Sequence, residues 1–508
     1  MSPPSPARTM RLWLWGPRSL GVALGVFMTI GFALQLWGGP FQRRLPGVGL
    51  RLQQPWAPSR HPSVHHPSCP PRQRLVFLKT HKSGSSSVLN LLHRYGDRQG
   101  LHFALPTRYQ FGYPRLFQAS WVKNYHPQDG DTQHPFHILC HHMRFNLKEV
   151  LQVMPSDSFF FSIVRDPAAL AHSAFSYYKS TSSAFRKAPS LAAFLANPRA
   201  FYRLGARGDH YARNLLWFDF GLPFPPEMRT KRKNPHPARD PIPPQLHVLP
   251  SGAGPQAHIL DPNALFHPAP TVADGHSQLS SPASVDSGSS SFIQWGLAWL
   301  DSVFDLVLVA EYFDESLVLL ADALCWGLDD VVGFIHNAQA GGERGGLGAV
   351  REGRRTEEQQ QLAARARAWN NLDWALYVHF NRSLWTRIEQ YGRSRLQSAV
   401  AELRARREAL AKHCLVGGEA LDPKYITDRR FRPFQFGSAK VLGYILRSGL
   451  SSQDQEECER LVTPELQYKD KLDAKQFPPT VLPSLKASRH QTAEAGQRAA
   501  KLGEEQLT

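Results

Sequence analysis

The sequence predicts an α/β fold, a parallel β-sheet flanked by helices and carrying a phosphate-binding strand-loop-helix. Three stretches carry that prediction: RLVFLK from Arg74, DSFFFSIV from Asp157 and FDLVLVA from Phe304. Each is a short apolar run, and each is followed by a turn and then by apolar residues at helical spacing. Strand-loop-helix repeated in this way builds a parallel sheet, and ligands of such sheets bind beyond the carboxyl ends of the strands.

The first unit reads RLVFLKTHKSGSSSVLNLL, Arg74 to Leu92. Val88, Leu91, Leu92 and Tyr95 share one face of the helix that follows the loop. In the second unit, Asp166 is the expected N-cap and Pro167 the first helical residue. The third is FDLVLVAEYFDESLVLLADAL, and from about Glu357 to Cys414 the chain is helical in character. The apolar run FHIL before Cys140 makes His141 and His142 candidates for a further strand end.

The loop THKSGSSS lies where a parallel strand feeds a helix, so the unpaired amides of the helix start face an incoming anion. Gly84 allows close backbone approach, Ser83, Ser85, Ser86 and Ser87 offer hydroxyls, and Lys82 supplies a full charge. Lysine precedes the only glycine, so this is not G-x-x-x-x-G-K-[ST], which disfavours an ATPase or kinase. A Ser-rich helix cap with no ligand is the alternative. Arg165 ends the second strand, and Ser173 follows eight residues later on the next helix. Two anion sites on neighbouring strand ends suit a nucleotide with phosphates at both ends.

The chain has 508 residues and a formal net charge of +17, which suits an anionic partner or an anchor flanked by basic residues. Ser19 to Gln42 carries no charge, and its apolar core is about long enough to span a bilayer. The organisation expected is a cytosolic tail (1–18), a transmembrane signal anchor (19–38), a Pro- and Arg-rich stem (39–72), a lumenal domain (73–480) and a disordered tail (481–508). Within the domain, the Pro-, His- and Ser-rich segment 222–291 reads as a disordered insertion. Basic residues flank the span on both sides, so charge does not settle its orientation; the one N-x-S/T sequon, at Asn381, favours a lumenal body and is the expected glycan acceptor. The five cysteines form no CxxC or zinc-like spacing, so no metal site is expected; one or two disulfides with one thiol left over are.

The Lys82 loop paired with Arg165 and Ser173 resembles the sulfotransferases that use 3′-phosphoadenosine 5′-phosphosulfate. FLKTHKSGSSSVLNLL, HILCHHMRFNLKEV, VRDPAALAHSAFSYY, HYARNLLWFDFG, LVLVAEYFDESLVLLADALCW and ARAWNNLDWALYVHFNRSLW closely resemble the galactose 3-O-sulfotransferases of the Golgi, from about Arg74 to Tyr468 apart from the insertion. That resemblance implies a P-loop-like three-layer sulfotransferase fold and a single-pass type II Golgi membrane enzyme with its catalytic domain in the lumen. The implied donor is 3′-phosphoadenosine 5′-phosphosulfate, with no metal in the catalytic step and no nucleic-acid partner. The implied acceptors are galactose-terminated glycans on glycoproteins, sulfated at the 3-hydroxyl; the insertion fits a branch preferring galactose β1-3 linked to N-acetylgalactosamine. Lys79, Thr80, His81, Lys82, Ser83, Gly84, Ser85 and Ser86 would hold the 5′-phosphosulfate, and Arg165 with Ser173 the 3′-phosphate. Lys82 would stabilise the bridging oxygen. His142 is the favoured base and His81 the group orienting sulfuryl or acceptor. Where relatives carry Asn before the second His of HHMRF, this chain has His141.

A non-catalytic glycan- or nucleotide-binding membrane protein and an atypical P-loop kinase are the rival readings. Weaker candidates have structural alternatives at least as good: Glu311 a salt bridge, Arg213 and Asn214 helix packing, and Trp369, Trp374, Tyr377 and Trp385 core positions. The Arg-rich run AELRARREALAK reads as a solvated helix face.

Overall fold

Strands Leu75–Leu78 (β1), Phe103–Ala104 (β2), Ile138–Leu139 (β3), Phe159–Val164 (β4) and Leu306–Val309 (β5) form one sheet in the order β2-β3-β1-β4-β5. Every pairing is parallel, with Leu75 opposite both Ile138 and Phe159, and Phe161 opposite Leu306. The three longer strands are the three read from the apolar runs, and each is buried along its length, as a sheet covered on both faces requires. From β1 the chain moves outward to β2, returns to β3, then crosses to β4 and β5 on the other side. The connections diverge between β1 and β4, and the crevice at their carboxyl ends is where open α/β sheets take ligands. The computed structural model describes residues 69–125, 136–225, 228, 287–338, 356–437 and 439–478, all within one compact unit.

The helices that position the site are Ser85–Gln99 (α1), Leu147–Val153 (α2), Pro167–Tyr178 (α3), Leu215–Asp219 (α4), Ser287–Val303 (α5), Phe313–Leu324 (α6), Glu357–Trp369 (α7), Asn371–Tyr391 (α8), Arg393–Cys414 (α9), Ser452–Val462 (α10) and Glu465–Gln476 (α11). The expected start of α3 is present: the Asp166 side chain accepts the Ala168 amide, and Pro167 follows the cap. The helical stretch from Glu357 to Cys414 is three helices, broken at Asn370 and at Gly392, whose φ is 95°. The Arg-rich run on α9 is not purely solvated, because Arg404 and Arg407 pair with Asp314 of α6 at 2.7 and 2.6 Å.

Two boundaries move. Cys69 to Arg72, assigned to the stem from sequence, are tied to the body by a Cys69–Cys325 disulfide, by the Arg72 amide donating to Leu324, and by Trp326 Nε1 donating to the Arg72 carbonyl. The segment 222–291 ends in helix, since α5 begins at Ser287. A second disulfide joins Cys414 of α9 to Cys458 of α10, and Cys140 is the buried thiol left over. The expected span at 19–38, the tail at 481–508 and most of the insertion lie outside the described residues. Among the described residues, no helix is long and apolar enough to cross a membrane.

Candidate active site

The loop between β1 and α1 begins where β1 leaves the core. Gly84, at φ 84° and ψ 4°, is the N-cap of α1, a left-handed conformation that glycine takes without a Cβ clash. Lys82 is also left-handed, at φ 59°. Its carbonyl accepts Arg165 Nη1 at 3.0 Å, so the end of β4 braces the strained turn. The Lys82 ammonium sits 3.9 Å from the Tyr177 ring centroid. Burial, with Arg165 and Lys79 nearby, pushes its pKa down to about 7. The turn is thus a compact cationic cradle at the amide-bearing end of a helix.

The loop hydroxyls are less available than their number suggests. Ser85 donates to the Thr80 carbonyl at 2.6 Å, and Thr80 donates to Ile163 at 2.6 Å. Ser87 accepts the His336 amide at 2.9 Å. Ser86 donates to Glu465 Oε2 at 2.9 Å and accepts from Asn337 Nδ2 at 2.7 Å. The hydroxyls therefore shape the turn, which leaves Lys82 and the turn amides as the candidates for holding an anion.

Two expected histidines meet here. The rings of His81 and His142 stack with centroids 4.0 Å apart and planes 13° off parallel. His142 lies just past β3, and its Nδ1 donates to the Lys79 carbonyl at 2.9 Å. That tautomer leaves Nε2 as acceptor, and the Lys79 ammonium lies on it at 2.7 Å. Burial, then His81 and Lys79, holds the His142 pKa well below the ordinary imidazole value. Its lone pair is occupied, which is poor geometry for a general base.

His81 is placed differently. Asp219, the last residue of α4, accepts the His81 backbone amide at 2.7 Å, and both of its carboxylate oxygens lie 3.0 Å from His81 Nδ1. Tyr113 donates to the same carboxylate at 2.9 Å. Asp219 is fully buried and His81 nearly so. A carboxylate on Nδ1 holds that proton and leaves the lone pair on Nε2, the orienting arrangement of hydrolytic triads. Tyr113, Tyr178 and Tyr211 surround the imidazole, with Tyr178 and Tyr211 stacked at 3.7 Å.

Sequence reading missed Asp219, Tyr113 and Glu465. Asp219 lies within the quoted HYARNLLWFDFG, but nothing in that string marks an acid 138 residues beyond its histidine as a partner. Glu465 opens α11 and reaches Lys79 at 3.3 Å, both side chains nearly inaccessible. Among the remaining candidates, Ser173 lies half-buried on α3. Glu311 accepts the Asp166 amide at 3.0 Å and faces Arg165, and burial raises its pKa to about 7. Arg213 stacks on Trp369 at 4.4 Å, while Asn214 accepts the Leu372 amide and caps packing between α4 and α8. Trp369 donates to the Ala212 carbonyl and packs on the core with Tyr377, on which Trp374 stacks, whereas Trp385 is exposed, so only part of this aromatic row is core. Asn381 is half-buried within α8, its amide oxygen enclosed.

A family model described as Galactose-3-O-sulfotransferase matches residues 11–234 and 279–476. The chain is 83% identical over 489 residues to human galactose-3-O-sulfotransferase 4, covering 96% of this chain and 99% of that protein. It is 84% identical over 485 residues to the Bos taurus protein of the same name, covering 96% and 98%. Galactosylceramide sulfotransferase of Bos taurus is 34% identical over 470 residues, covering 89% and 93%. No solved structure matches the chain significantly.

Proposed function

The chain belongs to the galactose-3-O-sulfotransferase family, and from that premise we propose that it moves sulfate from 3′-phosphoadenosine 5′-phosphosulfate to the 3-hydroxyl of terminal β-galactose on glycans. It is a sulfotransferase. The preferred acceptor in this reading is galactose β1-3 linked to N-acetylgalactosamine on glycoprotein O-glycans. Identity of 83% and 84% to proteins named galactose-3-O-sulfotransferase 4, against 34% to a galactosylceramide sulfotransferase, favours a glycan over that lipid. The enzyme works as a type II Golgi membrane protein anchored through residues 19–38. The two disulfides fit a lumenal body.

The observation that carries the mechanism is the Asp219–His81 pair standing one residue from Lys82. The cradle fits a phosphosulfate: helix-start amides, Gly84 without a side chain, and Lys82, with Arg165 bracing the turn from the adjacent strand end and left for the nucleotide's 3′-phosphate. His81 Nε2 takes the proton of the galactose 3-hydroxyl as its oxygen bonds to sulfur. Asp219 keeps the ring oriented and stabilises the imidazolium that results. The bond from sulfur to the bridging oxygen breaks, and Lys82 stabilises the charge left on the nucleotide phosphate. In this reading His81 is the base, reversing the ranking drawn from family position, and His142 fixes Lys79 at the rear of the loop.

The test offers the purified full-length chain sulfur-labelled donor with galactose β1-3 N-acetylgalactosamine, galactose β1-4 N-acetylglucosamine and galactosylceramide. Product sulfated at the galactose 3-hydroxyl, formed fastest on the first acceptor, is expected. Transfer to the lipid alone overturns the glycan assignment. Donor binding with no transfer to any acceptor favours a binding protein, and turnover dependent on ATP and Mg²⁺ a kinase.

A further inference from the structure

We propose that His93, Cys140 and His141 form a buried three-coordinate site for one soft monovalent metal ion, Cu(I), which fastens α1 to the end of β3. His93 comes from the inner face of α1, and Cys140 and His141 directly follow β3. Their ligand atoms all lie within 4.8 Å of one another. All three residues are buried, with at most 1% exposure.

The spacing of the two imidazole nitrogens suits one ion. The Nε2 atoms of His93 and His141 are 3.4 Å apart. Two imidazole nitrogens each about 2.0 Å from a common ion, at an angle of roughly 110–120°, would lie about 3.3–3.5 Å apart. As a hydrogen bond between neutral rings the same contact is long. His93 Nδ1 is also buried with no hydrogen-bond partner among the described residues. An ion on Nε2 leaves that atom as it is, so the contact between the two Nε2 atoms is what supports the site.

Charge selects the ion. The three ligands include no carboxylate, and the buried Lys79 ammonium interacts electrostatically with Cys140. Binding displaces the thiol proton: Cys140–SH and Cu(I) give a Cu(I) thiolate and a proton released to solvent, with no change of oxidation state. Thiolate and Cu(I) together are neutral, which a dry pocket beside a lysine tolerates; Zn(II) would leave a net positive charge. Thiolate and imidazole also suit a soft ion, and three ligands leave no open position to fill. The disulfides engage the other four cysteines, so Cys140 is the thiol available. The ion would be structural, distinct from the chemistry at His81, and would fasten the helix that begins with the cradle to the strand that leads into His142.

The experiment titrates chelator-treated full-length enzyme anaerobically with tetrakis(acetonitrile)copper(I) against a bathocuproine disulfonate competitor, with Zn(II) in parallel. About one copper per chain surviving desalting is expected, with a thiolate-to-copper near-ultraviolet band and a raised Tm. X-ray absorption of the unmutated protein should show one sulfur and two nitrogen neighbours. Cys140→Ser and His141→Asn should each lower copper retention at least tenfold, with circular dichroism confirming the fold. No retained copper, retention unchanged in Cys140→Ser, or a copper environment without sulfur would overturn the site. Zinc held in preference to copper would overturn the monovalent assignment.

Discussion

Asp219 grips His81 at two points, taking its backbone amide at 2.7 Å and facing its ring Nδ1 at 3.0 Å. The pair joins the last residue of α4 to the turn after β1, so the imidazole is fixed by both main chain and side chain. Such an arrangement serves a base whose tautomer must not change, because the wrong tautomer presents a hydrogen where the acceptor's proton must go.

Asp219→Asn tests it. The amide preserves shape but no longer enforces the Nδ1–H tautomer, so kcat should fall by about 10²–10⁴-fold. Binding of 3′-phosphoadenosine 5′-phosphate, measured by calorimetry, should change little. His81→Ala should cost a similar factor, and the double variant no more than the worse single one, because the two residues act as a unit. A kcat within threefold of the unmutated enzyme would remove His81 from the base position.

Lys82 makes donor binding pH-dependent. With its pKa lowered to about 7, the ammonium is largely neutral at pH 8. An anionic donor favours the charged form and raises that pKa, so binding at pH 8 should take up a proton, and affinity should weaken as pH rises above 7. Calorimetry in buffers of different ionisation enthalpy reads the uptake directly. Lys82→Arg, charged throughout this range, should abolish the uptake. Affinity constant from pH 6.5 to 9 would contradict the assignment.

The sheet was legible from the sequence because three of its strands are continuous apolar runs, each ending in a turn residue with a chemical role. β2 and β3 are two residues each, too short for any period to register, although FHIL marked the approach to β3. The cradle was legible for the same reason as the strands: Lys82, Gly84 and Arg165 lie at the ends of runs that announce themselves. Asp219 and Glu465 were not, because each reaches His81 or Lys79 across well over 100 residues of chain. The cluster of His93 with Cys140 and His141 was hidden similarly, since metal-ligand spacing in sequence says nothing of a helix packed beside a strand end.

Arg165 braces the cradle through the Lys82 carbonyl, and its guanidinium lies on the strand next to β1. Arg165→Ala removes a charged donor and the brace together. A lost hydrogen bond to a charged group, about 1.5–3 kcal/mol, corresponds to roughly a 10–150-fold weaker donor Kd. At saturating donor, kcat should stay within about tenfold, since the residue meets the nucleotide and not the reacting sulfur. An unchanged Kd would exclude Arg165 from the donor site.

Glu465 and Lys79 form an ion pair at 3.3 Å with 8% and 2% of their side chains exposed. Removing one member leaves the other charge buried alone, so Glu465→Ala should destabilise the fold by about 3–5 kcal/mol in urea unfolding. Burial already lowers the Lys79 pKa against the pull of Glu465, so without the carboxylate the lysine should lose its proton more readily still. Replacing both, as Lys79→Met with Glu465→Leu, should recover most of that stability, because no unpaired charge remains. Activity should not return with it: His142 Nε2 loses its donor and Ser86 its acceptor, so both walls of the cradle shift. A double variant as unstable as the single one would show that shape, not charge, is what Glu465 contributes.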